Sequence, residues 1–512
     1  MMLAALAALC VSAATGTTAQ PKLLSLVVGL NSSRDPGVAP LRYADDDAAR
    51  YFELFEALGA EPKLLAVLDA DTQRRHPRLA GLARPPTRAE LERAVKELAD
   101  EARRAAEGGQ HVELLIAYAG HGNLTADREG YVNLLDSVLL RRDLFKVVIE
   151  PVPATYKHVI IDACNAYFVV AKRGAATQAQ LEAVKAFLDK EALDGHPEVG
   201  VLVSGTKEVE THEWAALESG VFSHEIRSAL LGAADADGDG FIRYAEIAAF
   251  VAAANDGLSD PRARVDVFAK PPAIDLSRPV LDLRRGNARY LEVPPQLKGR
   301  WRVEDSRGAR YADFNASGES SVFLKLVGEG EYFAFFEDDR EAKVRASRGG
   351  IAQLAMSSLK PRRSASRGAV EDDLRKGLFS IPYGAGFMRG FVSSNPSAGV
   401  VPPPSTPLAP FPDVGIERVE VAPPTMPVSR RLAWASLGLG VAFGAASAVS
   451  AVQARAGYDT FLARLAEQGT YSGNDVRAVE NWRLSTNLTL VGAVVTAAVG
   501  VLLLFFTDGT PQ

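Results

Sequence analysis

His111-Val-Glu-Leu-Leu-Ile-Ala-Tyr-Ala-Gly-His121-Gly122 and, further on, Lys157-His-Val-Ile-Ile-Asp162-Ala-Cys164-Asn-Ala-Tyr167 decide how this chain is read. Each stretch is a short apolar run with the length and aliphatic content of a buried strand, and each ends in a reactive side chain. In an open parallel sheet, functional residues gather just beyond the carboxyl ends of the strands. A His and a Cys in those two places can form a thiol dyad. A lone cysteine is more commonly a small, inert core residue. Here the Gly-His-Gly turn and the Asp two positions before Cys164 favour the dyad.

Composition sets the bounds. A chain of 512 residues holds two or three domains. Hydrophobic content of 47% and charged content of 23% are those of a globular protein. A net charge of -6 provides no basic field, so a nucleic-acid partner is not expected. The two cysteines are Cys10 and Cys164. Cys10 lies in an N-terminal apolar stretch, residues 1–20, that reads as a signal peptide ending near Thr17-Thr-Ala19. After processing one thiol would remain, without a disulfide partner.

Around the two decisive runs, strands alternate with helices. Leu23-Leu-Ser-Leu-Val-Val-Gly-Leu is strand-like. Ala48, Tyr51, Phe52, Phe55 and Leu58 recur at helical spacing before Gly59. Thr87 with Glu90 forms a capping box that opens a helix to about Ala106. Arg142 to Glu150 reads as helical, and Val199-Gly-Val-Leu-Val-Ser as the next strand. The fold class is therefore α/β: a mostly parallel sheet with helices on both faces, over residues 21–256.

Tyr118-Ala-Gly-His-Gly followed by Ile160-Ile-Asp-Ala-Cys resembles the caspase-like peptidases: caspases, metacaspases and their bacterial relatives. The resemblance runs from about Leu23 to Asn255. It includes Leu41-Arg-Tyr-Ala-Asp-Asp-Asp-Ala after the first strand and Ser219-Gly-Val-Phe-Ser-His-Glu before the last helices. It implies a caspase-like sheet, Cys164 as nucleophile, His121 as its base, and the backbone N–H groups of Gly122 and Cys164 as oxyanion donors. It also implies cleavage after Arg or Lys, with Asp47 and Asp162 receiving the basic side chain. Helix-dipole complementation is the plainer account of Asp45-Asp-Asp47. Asn165-Ala-Tyr167 departs from the family's usual His or Arg then Ser-Gly after the nucleophile. No cofactor is required for this chemistry. Self-cleavage in the insertion Ala171–Pro197, at Lys172-Arg173-Gly174, is one reading; the plainer one is that Lys172 and Arg173 solvate the end of a strand.

Further along, Asp235-Ala-Asp-Gly-Asp-Gly-Phe-Ile-Arg-Tyr-Ala-Glu246 matches a calcium-binding EF-hand loop. Asp235, Asp237, Asp239 and Glu246 hold ligand positions 1, 3, 5 and 12, Phe241 offers its carbonyl at position 7, and Gly240 turns the loop. The alternative is an acidic turn that never sees metal, and Arg243 at position 9 argues for that. From 278 to 345 the apolar period changes to two, which predicts a small antiparallel β-domain, a sandwich. Residues 346–394 have no assignment, and 395–428 form a Pro-rich linker. Two uncharged runs, 432–452 and 488–506, are long enough to span a bilayer as a transmembrane hairpin, with Gly440 and Gly444 spaced for close helix contact. The arginines of the connecting loop place that loop in the cytoplasm and the bulk of the chain outside. The reading is a cysteine endopeptidase of a bacterial inner membrane, its caspase-like domain periplasmic, with polypeptide substrates. The alternative is an inactive caspase-like membrane adaptor that binds protein partners.

Overall fold

The computed structural model describes residues 20–35, 37–126, 129–163, 193, 195–204, 213–259, 263–337, 340–346, 349–356, 359–361, 374, 376–402, 416–418, 428–468 and 473–506. The expected signal peptide, Cys164, nearly all of the Ala171–Pro197 insertion and most of the Pro-rich linker lie outside these residues. The chain divides into two compact units, residues 1–420 and 421–512.

The first unit opens with β1 (Lys22–Leu30), α1 (Ala44–Ala57), β2 (Glu61–Ala66), α2 (Arg88–Glu107), β3 (Val112–Gly120), β4 (Tyr156–Asp162) and β5 (Val199–Ser204). Then follow α3 (Val221–Ser228), α4 (Tyr244–Asp256) and β6 (Val267–Lys270). These strands form a six-stranded sheet in the order β6-β5-β4-β3-β1-β2. Every pair is parallel except β6 on β5. Side chains alternate between its faces, as the strand period requires. Leu24, Leu26 and Val28 of β1 join a core with Leu91, Val95 and Leu98 of α2. Leu23 and Val27 point the other way, into a core shared with α1, α3 and α4. Thr87 caps α2 by accepting from the Glu90 N–H at 3.3 Å. The helix expected over 142–150 is a short turn, Arg141–Asp143, running into a wider π-helical turn, Leu144–Ile149.

The β-domain comprises β7 (Pro279–Asp282), β8 (Arg289–Val293), β9 (Gly299–Asp305), β10 (Arg310–Ala316), β11 (Val322–Lys325), β12 (Gly330–Phe336), β13 (Arg340–Ala346) and β14 (Gly350–Gln353). One sheet is antiparallel, in the order β10-β9-β12-β13 and then Lys360–Pro361. The other is mixed: β8 pairs antiparallel with β11 but parallel with β14, which pairs parallel with Ile416–Arg418. Within 278–345 every strand pair is antiparallel, as expected. The parallel strand comes from the stretch the sequence left unassigned, whose short Gly-Ile-Ala-Gln run shows no period. That stretch also supplies α5 (Ala385–Ser394).

The six-stranded sheet with its helices and the β-domain share one apolar core, in which Phe55, Ile226 and Phe250 belong to the same cluster as Tyr290, Trp301 and Phe314. Two glycines mark the closest approaches. A Cβ on Gly286 (φ 69°) would stand 1.9 Å from the Ala57 carbonyl oxygen. A Cβ on Gly232 (φ 124°) would stand 2.0 Å from that of Phe323. Both backbones occupy a region that L side chains avoid, so only glycine serves.

The second unit is a helical hairpin, α6 (Val428–Gln468) and α7 (Gly473–Phe506). A Cβ on Gly440 would stand 3.2–3.3 Å from Thr496 and Ala497, and Ser447 donates to the Thr486 carbonyl at 3.0 Å. Among the described residues no helix is long and apolar enough to cross a membrane, so the expected transmembrane hairpin is not found. Ala, Gly and Ser make up most of 432–452. Both helices also run past the apolar stretches into charged residues, including Arg455, Asp459, Arg477 and Glu480.

Candidate active site

The register of the sheet sets the site. Leu30 of β1 pairs with Gly120 of β3, and Ala119 of β3 pairs with Asp162 of β4, so the three carboxyl ends are level. His121 stands two residues beyond Ala119, and Cys164 two beyond Asp162. The sequence expectation that these positions leave one sheet edge follows directly from this pairing; Cys164 itself is outside the described residues.

His121 is buried. Burial holds its pKa below the usual value, against the opposing effect of hydrogen bonds to the backbone of Asn31 and Ala39. Nε2 is buried with no hydrogen-bond partner among the described residues. The arrangement favours a neutral imidazole that donates from Nδ1 and keeps its lone pair on Nε2. The His121 carbonyl is fixed by the Tyr118 hydroxyl at 2.9 Å and the Asn133 N–H at 3.0 Å. Asn31 is fixed in turn: its Nδ2 donates to Asp45 at 2.7 Å and its Oδ1 accepts from the Ala44 N–H at 2.9 Å. Gly122 begins a short strand, paired with Val132.

The three aspartates that open α1 are all buried, and each has a different task. Asp45 accepts from Asn31 and from the Asp69 N–H at 2.7 Å, tying the loop after β1 to the one after β2. Asp46 faces Arg75 at 3.1 Å; burial pushes it up to about 6 despite Arg50. Asp47 accepts from the Gly220 N–H at 2.9 Å and from Arg227 Nη2 at 3.2 Å, and also from the Ser219 hydroxyl. Burial raises the Asp47 pKa, while Arg227 and Arg50 oppose the rise.

Asp162 is buried at the end of β4 and accepts from the Ser223 N–H at 3.1 Å. Burial pushes it up to about 7, Ser223 works against the rise and Asp47 adds to it. Gly220 separates the two carboxylates: a Cβ there would lie 2.7 Å from Asp162 Oδ2 and 3.4 Å from Asp47 Oδ2. Sequence reasoning thus named two residues that the fold brings together. It missed Arg227, which neutralises one of them, and Glu213, which accepts from the N–H groups of Arg42 and Tyr43 at 2.9–3.0 Å. Arg227 lies four residues past Ser223 on α3, and only its placement in the Ser219–Glu225 neighbourhood hinted at a role.

Residues 23–259 match a family model described as the caspase domain. The matched family is one of cysteine peptidases, which act on polypeptides. Solved structures resemble the chain at low identity. Protein GSU0716 from Geobacter sulfurreducens is 17% identical, with 49% of this chain and 93% of that chain covered and a TM-score of 0.30. Caspase-1 from Spodoptera frugiperda is 11% identical, with 49% and 87% covered and a TM-score of 0.31. The Drosophila initiator caspase Dronc is 12% identical, with 49% and 80% covered and a TM-score of 0.26. No curated protein matches the chain.

Away from this edge, ligand atoms of Asp235, Asp237 and Asp239 all lie within 4.8 Å of one another. The loop turns through Gly240 at φ 81°, as a calcium loop must at that position. Asp237 Oδ2 is buried without a hydrogen bond. Burial and the neighbouring aspartates push Asp235 up to about 7. Hard carboxylate oxygens so placed suit calcium. Two features depart from the pattern. Arg243 sets its guanidinium against Asp239 at 2.6 Å and Asp237 at 3.7 Å. Glu246 stands outside the convergent three, accepting instead from the N–H groups of Ala236 at 3.2 Å and Arg243 at 2.9 Å. The Phe241 N–H donates to Asp239 at 2.8 Å, and its strand, Phe241–Arg243, pairs with β7.

Proposed function

We propose that the caspase-like domain is a cysteine endopeptidase that cuts after Arg or Lys. The observation that carries this is His121: a buried imidazole, anchored through the backbone of Asn31, with a free Nε2 at the sheet edge from which the Cys164 segment departs. A thiol is a weak nucleophile until deprotonated. His121 Nε2 accepts the Cys164 proton, and the thiolate attacks the scissile carbonyl. The backbone N–H groups of Gly122 and Cys164 stabilise the oxyanion. The imidazolium then protonates the leaving amine as the carbon–nitrogen bond breaks, leaving a thioester. Water, deprotonated by His121, adds to the thioester and releases the acid and the free thiol.

Selectivity for a basic residue rests on Asp162 more than on Asp47. Arg227 already balances the Asp47 charge, whereas Asp162 faces no cation among its hydrogen-bond partners. A guanidinium or ammonium entering beside Asp162 would draw its proton off and pair with the carboxylate. Calcium, held by Asp235, Asp237 and Asp239, would act as a structural ion. It would supply charge that the buried carboxylates need. A periplasmic location of the caspase-like domain, at a bacterial inner membrane, rests on the N-terminal apolar stretch that reads as a signal peptide. The test is turnover of Arg and Lys peptides by the full chain. Hydrolysis that prefers them supports the reading, and an inert wild type, with or without calcium, turns it toward a binding role.

A further inference from the structure

Helix α3 has two working sides. One serves the carboxylates: the Ser223 N–H holds Asp162, and Arg227 holds Asp47. The other is gripped by the β-domain. His224 Nε2 lies 2.9 Å from Asp313 Oδ2, with both side chains fully buried. Arg310 clamps the same carboxylate through two contacts, Nε at 2.6 Å and Nη2 at 2.9 Å. The Asp313 N–H donates to the Ser228 hydroxyl at 3.2 Å, and that hydroxyl donates back to the His224 carbonyl at 2.8 Å. Thus β10 fixes α3 at two successive turns, and His224 and Ser223 are adjacent in the chain.

We propose that Asp313 is a positioning residue for recognition of the basic side chain, acting through His224 and α3 on Asp162 and Asp47. This rests on the peptidase reading and gives the β-domain a part in it. The charges facing the pair are consistent with a permanent link. Arg310 and His224 hold the Asp313 carboxyl well below its usual range against burial. Burial brings His224 down to about 4, with Asp313 opposing, so at neutral pH the ring is uncharged and donates Nε2–H. Because the link involves no atom of the dyad, its loss should loosen the carboxylate side of the site and leave bond cleavage intact.

The experiment compares the full-length wild type with Asp313→Asn, His224→Gln and His224→Leu. Each is assayed on an Arg peptide and titrated with benzamidine, an amidinium probe that needs no turnover. In Asp313→Asn and His224→Leu, KM and the benzamidine Kd should both rise ~10-fold, equivalent to losing one good contact, while kcat per folded molecule changes less than ~3-fold. His224→Gln keeps a donor toward Asp313 and should restore most of the affinity. Melting curves at each step correct for the unfolded fraction. Unchanged KM and Kd in folded variants, or an equal loss of kcat, would overturn the proposal while leaving the peptidase reading standing. A wild type that neither cleaves nor binds the probe would remove both.

Discussion

Replacing Asp162 by Asn should stabilise the protein above neutral pH. Burial moves this carboxyl from an ordinary 3.8 to about 7. The folded-state pKa is raised, so the stabilising proton is fully retained below the unfolded value, and its benefit is lost as pH rises through about 7. At ~1.36 kcal/mol for each pH step in pKa, the full displacement corresponds to about 4 kcal/mol. About 2–3 kcal/mol of it should be lost between pH 5 and pH 8. Asn has the same shape and does not titrate. The stability gap between Asp162→Asn and wild type should therefore widen by that amount over the interval. The other raised carboxyls, such as Glu225 and Glu246, titrate equally in both proteins and cancel. Urea unfolding followed by tryptophan fluorescence reads this, since Trp301 and Trp214 are buried. The same substitution should weaken benzamidine binding, and wild-type binding near pH 6 should release a proton measurable by calorimetry in buffers of different ionisation enthalpy. A gap that stays constant from pH 5 to pH 8 would refute the burial argument.

Arg227→Ala should destabilise the chain by ~3–5 kcal/mol, because it leaves Asp47 buried without its cation; a denaturant midpoint measures it. Asp47→Asn combined with Arg227→Leu should recover much of that loss. Calcium at millimolar concentration should raise the melting temperature, and Asp237→Ala with Glu246→Gln should abolish the rise; no shift in the wild type means Arg243 alone balances the loop. Truncation after Pro272 should yield an aggregating or partly unfolded product by circular dichroism and gel filtration. It removes Tyr290, Trp301 and Phe314 from a core that also contains Phe55 and Ile226.

The parallel sheet and the sheet-edge position of His121 were legible because buried parallel strands read as unbroken aliphatic runs and glycines flank the histidine. Asp47 and Asp162 were legible as a pair through the family resemblance. Their inequality was not, because it depends on Arg227, which reaches Asp47 across 180 residues of sequence. The division of labour in Asp45-Asp46-Asp47 was equally hidden, since one helix turn points three carboxylates at three different neighbours. The antiparallel strands showed their period-two pattern. The parallel strand β14 is too short to show any, and its pairing with β8 is set by the fold. Shared packing between the sheet and the β-domain left no periodic trace at all, only glycines such as Gly232 and Gly286 at the contact.

The most direct test compares hydrolysis of an Arg-containing fluorogenic peptide by full-length wild type, Cys164→Ala and His121→Ala, with the matched Asp and Ala peptides as controls. The account predicts turnover by the wild type that prefers Arg or Lys, and its loss to background in both variants while their melting temperatures stay close to wild type. Persistence of wild-type turnover in Cys164→Ala, or a folded wild type that cleaves none of the peptides with or without calcium, would contradict it.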